Sequence, residues 1–277
     1  PAVATDGQDG DRLQRLARWM SSLDNNRFAA TQVNRIWFQM LGQGVVDPVD
    51  DFRGTNPPAN AELLDSLTEE FVKHDFDVRH IVKLIASSNT YQLSSISNQT
   101  NQSDETLFSR AVPRRLTAEQ TLDAIAHVLE VPITFGEAKP GVKAVQLAGV
   151  RNGGHRYSKP EIGDRFLALF GKPDRLQTCD CERSDETTLA QTFELVSGEL
   201  IQQLLSSDQG RIARDVKASV PTSSIIEELY WRALSRSPAS VELTAAIAHV
   251  DRQAERRRGL EDVAWAVLNS NEFLLRR

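Results

Sequence analysis

At 277 residues, with 40% hydrophobic residues, the chain has enough apolar material to bury a substantial core. Its formal charge of −6 offers no concentrated Lys/Arg face, so nucleic acid is not an expected partner. No apolar run approaches the ~20 residues that a bilayer-spanning helix needs, and no membrane span is expected.

The opening PAVATDGQDG is small and polar and carries no signal-peptide pattern, as expected of a fragment cut from a longer protein. Leu13, Leu16, Ala17 and Met20 then recur at helical spacing. A stronger stripe, Ala29, Val33, Ile36, Trp37, Met40 and Leu41, predicts a second helix ended by Gly42-Gln43-Gly44. Asn34 and Arg35 beside that stripe are expected to anchor the loop that follows. That loop, VVDPVDDFRGTNPPAN, is barred from helix by its prolines. Asp47, Asp50 and Asp51 are candidate calcium ligands by residue type, but they lack the alternating spacing and closing glutamate of a calcium-binding hand. Pairing with Arg53 is the expected use of loop carboxylates.

Asn60 and Asp77 are placed to cap two further helices, joined by a short turn at His74-Asp75-Phe76. His74 and His80 stand six apart across that turn. Helical ligand pairs need a spacing of three or four, so both read as surface histidines and no metal site is assigned. Ser94 to Thr106 shifts to Ser, Asn, Gln and Thr and predicts a flexible connection between lobes at 11–93 and 107–277. Thr117 with Gln120 forms a capping-box pattern ahead of Leu122, Ile125, Ala126 and Leu129. His127, four residues after Asp123, suggests a charged pair on one face.

Val131 to Pro160 is the least helical region, with Val142–Val150 expected as a strand or extended segment. The glycine-rich loop behind it carries three functional side chains, His155, Arg156 and Tyr157, and His155 is the histidine best placed for function. A short helix ending at Gly171 and Pro173 comes next. A long helix is predicted from Ser184 or Asp185, with Leu189, Phe193, Val196, Leu200 and Leu204 as a central core stripe. Helices at Ile225–Leu234, Val241–Arg257 and from Leu260 close the chain, packed through Trp231, Leu234, Leu243, Ile247, Val250, Val263 and Trp265. Arg256, Arg257 and Arg258 read as a solvated helix face.

Cys179 and Cys181 frame Asp180 and precede Glu182-Arg183. Buried thiols, a strained and labile disulfide, and a soft-metal pair are all open to them. The acidic neighbours raise a thiol pKa while Arg183 opposes them, which disfavours a reactive nucleophile. The chain has no Gly-x-Ser-x-Gly elbow, phosphate loop, His-Glu-x-x-His or Cys-x-x-Cys-His motif.

Several blocks together resemble the planctomycete-type PSD domain family. They are Asn34-Arg35-Ile36-Trp37 with Gly42-Gln43-Gly44, Asp51-Phe52, Asn56-Pro57-Pro58, Glu62-Leu63-Leu64-Asp65, Ser88-Asn89-Thr90-Tyr91 and Arg114 to Glu119. Phe170-Gly171-Lys172-Pro173 with Cys179-x-Cys181-Glu182-Arg183, and Ala266 to Leu274, complete the set. The resemblance implies the C-terminal part of an exported bacterial protein, periplasmic or extracellular, that begins with a cytochrome c domain. It implies no catalytic residues and no cofactor in this chain, and it favours a disulfide between the cysteines through export.

The expected fold is mainly α, a multi-helix orthogonal bundle in two lobes with an irregular or weakly β insertion. Two functions compete. One is a non-catalytic module contacting other domains of its parent protein, a haem-bearing one among them, or a polysaccharide. The other is a redox or hydrolytic enzyme built from His155, Arg156, Tyr157, Cys179, Cys181 and Arg183.

Overall fold

A computed structural model describes residues 12–22, 25–136, 138–147, 149, 161–173 and 188–276. The described chain is mainly helical, and its one sheet pairs the two-residue strands Arg114–Arg115 and Leu275–Arg276. No helix among the described residues is long and apolar enough to cross a membrane. Two compact units divide the chain between Arg114 and Arg115.

The first unit is built on α2 (Asn26–Leu41), α3 (Ala61–Lys73) and α4 (Val78–Ala86), with α1 (Arg12–Met20) ahead of them. Ala29, Val33 and Trp37 of α2 meet Leu64, Leu67 and Phe71 of α3 and Ile81 and Ile85 of α4 in one core. The caps sit where the sequence puts them. Asn60 accepts from Leu63 N at 3.0 Å and Asp77 from Arg79 N at 2.8 Å, each satisfying an amide that the helix leaves open. Gly42 ends α2 at φ +91°, and its N–H returns to the Phe38 carbonyl. By contrast α1 buries nothing: Leu13 is 72% exposed, so its stripe serves no core among the described residues.

Asn34 explains how a proline-broken loop is held. Fully buried, it donates to the carbonyls of Val46 and Val49, both at 2.8 Å, and accepts from Val46 N at 3.0 Å. Val45 and Val46 are thereby drawn into the core. Arg35 grips both oxygens of Asp50 at 2.7 and 2.9 Å, and Arg53 grips Asp51 in the same bidentate way. Arg53 also holds the Asp51 carboxyl below its usual range. The Asp50 and Asp51 carboxylates are thus taken up by guanidinium groups, the use expected of loop carboxylates. The 94–106 stretch belongs to this unit and folds into turns tied by Asn98 and Asp104.

In the second unit, α5 (Ala118–Leu129) starts at the expected capping box, Thr117 and Gln120 exchanging bonds of 3.3 and 3.1 Å. Around it lie α6 (Ile162–Leu169), α7 (Leu189–Ser197), α8 (Glu199–Leu205) and α9 (Arg211–Lys217). They are followed by α10 (Thr222–Leu234), α11 (Ser240–Arg252), α12 (Arg256–Leu268) and α13 (Asn271–Leu274). Leu122, Ile125, Phe166, Leu167, Leu200, Ile201, Ile226, Leu260 and Leu268 form the centre of its core.

Several expectations need correction here. The long helix predicted from Ser184 is two helices, because Gly198 takes an extended ψ of 149° and ends one while starting the next. Its stripe is therefore split: Leu200 and Leu204 are buried, while Leu189 and Phe193 are 78% and 65% exposed. Val142–Val150 shows no strand among its described residues; Ala144–Gln146 is a single 3-10 turn. The helix expected to run to Arg257 stops at Arg252, and α12 begins at Arg256. In consequence the three arginines are not a uniform solvated face. Arg256 bonds Thr222 Oγ1 at 3.0 Å, Arg257 joins Glu261 to Asp208, and only Arg258 is well exposed. Trp231, expected between helices, is also half exposed.

Candidate functional site

A cleft of about 450 Å³ opens in the first unit, within the range of roughly 300–1,000 Å³ typical of ligand sites. The C-terminal end of α2 supplies Met40, Leu41, Gly42 and Gln43, the residues after α4 supply Tyr91, and the 104–114 segment supplies most of the remainder. Apolar side chains and a phenol alternate with Asp47, Asp104, Glu105, Arg110 and Arg114.

Two of those charges are spent on the cleft's own walls. Asp104 accepts from the amides of Thr106, Leu107 and Ser109 at 3.0, 2.8 and 2.9 Å, and from the Ser109 hydroxyl. The Ser109 hydroxyl, followed by the Leu107 amide, holds the carboxyl far below its ordinary range. A carboxylate held so firmly ionised makes a loop anchor and a poor general acid. Arg114 donates to the Met40 carbonyl at 2.8 Å and lies 3.4 Å from that of Phe38, a cation on the last carbonyls of α2. Phe108, at φ +55°, stands edge-on to Trp37 with ring centroids 5.2 Å apart, fixing the segment against the core.

A second cluster sits at the α3–α4 turn. His80 Nε2 lies 3.3 Å and His74 Nδ1 3.4 Å from Glu70 Oε2, and the two imidazoles stack at 3.7 Å. Spacing did hold a clue to it: Glu70 and His74 are four apart on one helix. His80 joins them only because the turn folds back.

The second unit buries a charge that resembles a site marker. Lys172 is 6% exposed, and its ammonium reaches the carbonyls of Ala144 at 2.9 Å and Leu147 at 2.8 Å, with Glu119 Oε1 at 3.5 Å. Among the described residues these acceptors make Lys172 a clamp on the 144–147 turn. The expected Asp123–His127 pair is replaced by another use of the aspartate. Asp123 caps that same turn through Ala144 N and Val145 N at 2.8 and 3.1 Å, and His127 is exposed.

His155, Arg156, Tyr157, Cys179, Cys181 and Arg183 all lie outside the described residues. The cleft and the Glu70 cluster are the sites that residue-by-residue reading passed over. Cleft residues are scattered over some seventy positions, and only the fold assembles them.

No curated protein and no solved structure matches the chain. The PSD1 family, described as protein of unknown function (DUF1553), matches residues 11–250. That span runs through most of the first compact unit and into the second as far as residue 250, and the chain belongs to the PSD1 family.

Proposed function

We propose that this chain is a non-catalytic interaction module of an exported multidomain protein, and that the cleft of the first unit binds a hydroxyl-rich ligand such as a polysaccharide segment. The observation that carries the reading is a convergence. Gly42 and Gln43, Tyr91 and Arg114 come from three separate blocks of the family resemblance, and all four line this cleft. Tyr91 is 38% exposed and offers a ring face and a phenol, while Gln43, Asp47, Glu105 and Arg110 offer hydrogen-bonding groups. A sugar presents the complementary mixture of C–H faces and hydroxyls. The internal commitments of Asp104 and Arg114 favour a preformed binding surface over an acid–base pair. The exported setting and a haem-bearing neighbour domain rest on the family resemblance alone.

The test is calorimetric titration of the purified chain with a panel of neutral and acidic oligosaccharides, followed by chromatography of each ligand. Saturable binding that weakens at least about tenfold in Tyr91→Ala, with ligand recovered intact, is the expected result. Absence of saturable binding across the panel would remove the ligand. Release of cleaved products would replace the module with an enzyme.

A further inference from the structure

The turn between α3 and α4 places two imidazoles and a carboxylate in one spot, and the fold goes to some length to do so. Asp75 and Phe76 both adopt positive φ, 52° and 60°, a conformation that is unusual for phenylalanine. Phe76 is held there by edge-on contacts with Phe71 at 5.4 Å and Phe28 at 6.0 Å. The N–H of Phe76 bonds the Phe71 carbonyl at 2.9 Å and that of Asp77 the His74 carbonyl at 3.0 Å. With the reversal fixed in this way, His80 in the first turn of α4 lands beside Glu70 in the last turn of α3 and His74 at its C-cap.

We propose that Glu70, His74 and His80 form a binding site for a divalent transition-metal cation of the zinc class. Zinc–nitrogen and zinc–oxygen bonds of about 2.0–2.2 Å in a tetrahedron put neighbouring ligand atoms about 3.3–3.5 Å apart. The separation of His80 Nε2 from Glu70 Oε2, 3.3 Å, already has that value. All three ligand atoms lie within 4.8 Å of one another. Two nitrogens and one oxygen suit zinc, nickel or copper and are a poor set for calcium or magnesium, which take oxygen. Three protein ligands leave the fourth position to water.

Second interactions support the assignment. His74 Nδ1 lies 2.9 Å from the Glu70 main-chain carbonyl, so a proton on that nitrogen is satisfied by backbone and Nε2 is left with its lone pair for metal. Coordination asks for one adjustment. Lone pairs lie in the ring planes, and two rings only 15° from parallel point theirs past each other. One imidazole must swing out of the stack, and side-chain exposures of 38% and 30% for His74 and His80 leave room for it. Lys73 Nζ, 3.2 Å from Glu70 Oε1, is the resident cation that the metal displaces.

The experiment is zinc titration of the chelator-treated full chain by calorimetry, repeated with cobalt(II) to read the coordination spectrum. Expected are one strong equivalent of zinc, a spectrum typical of mixed nitrogen and oxygen ligands, and selective shifts of the His74 and His80 ring resonances. His74→Ala, His80→Ala and Glu70→Gln each weaken binding at least about tenfold, while Lys73→Ala, which removes the competing charge, tightens it. Melting curves without metal establish that each variant is folded. An unfolded His80→Ala leaves the Lys73→Ala and Glu70→Gln arms to decide. No saturable binding, binding unchanged in the His74→Ala/His80→Ala double variant, or a sulfur-to-metal charge-transfer band that assigns the ion to the cysteines would overturn the proposal.

Discussion

Replacing Lys172 by Met tests whether this buried ammonium of the second unit is a clamp. The substitution keeps most of the side-chain volume and removes, among the described residues, the contacts to the carbonyls of Ala144 and Leu147 at 2.9 and 2.8 Å and to Glu119 at 3.5 Å. A hydrogen bond to a charged group is worth about 1.5–3 kcal/mol when lost, and two carbonyls lose such a donor, which gives about 3–6 kcal/mol. An independent route, removal of one partner from a buried ion pair, costs about 3–5 kcal/mol. The two figures overlap. For a unit of this size each kcal/mol lowers the melting temperature by about 2–4 °C, so a fall of roughly 6–20 °C is expected.

Calorimetric melting reads the shift, and amide exchange localises it: the 144–147 turn opens first. Glu119→Gln separates the contributions. Glu119 has further contacts beyond Lys172, and its ion pair is the longest of the three, so this change should cost less than half as much. A fall below about 2 °C in Lys172→Met, or an equal fall in Glu119→Gln, would refute the clamp and point to another role for the buried ammonium.

Asn34→Asp keeps the shape but cannot donate to the Val46 and Val49 carbonyls; loss of at least about 2–3 kcal/mol is expected, read by urea unfolding. Gly42→Ala places a methyl 2.1 Å from Arg114 Cδ at a φ of +91°, and about 1–2 kcal/mol of backbone cost alone should appear as a lower melting temperature, with weaker binding at the cleft. For Glu242, the Arg236 guanidinium and then the Ala239 amide hold the carboxyl down at about 2, below its ordinary 4.5. The unfolded chain therefore takes up the proton first: this contribution is fully present above pH 4.5 and is lost as pH falls toward 2. Glu242→Gln should flatten the stability profile across that window, and an unchanged slope counts against the pairing.

What sequence could deliver was local. Asn60, Asp77 and the Thr117–Gln120 box lie within three residues of the amides they satisfy, so their spacing alone placed three helix starts. Asn34 and Arg35 were legible for a related reason, because a helix end followed by a proline-rich loop needs donors to tie it down. The failures share a cause. Periodicity across Gly198 continues in the letters although the backbone breaks there, so Leu189 and Phe193 looked central and prove exposed. Gln253, at ψ 147°, interrupts an equally regular pattern before Arg256. The cleft and the Glu70 cluster depend on chain reversals, and no window of sequence contains their members together.

The family blocks divide by what they do physically. In the second unit, Lys172 clamps a turn, and Glu272 of the last block is tied to Arg236 by bonds of 2.7 and 2.8 Å, with Glu242 on the same guanidinium. Those charges are consumed by architecture. In the first unit Asn34 and Arg35 are consumed likewise, whereas Gln43 and Tyr91 line the cleft. A chain under pressure only to fold would gain by filling 450 Å³ with side chains, since packing stabilises and an open cleft does not. Retaining it between two anchored walls, one capped by Arg114 and the other tied by Asp104, is what a binding surface requires. For that reason variants at Tyr91 and Gln43 should alter ligand affinity at nearly constant melting temperature, and variants at Lys172 and Asn34 should do the reverse.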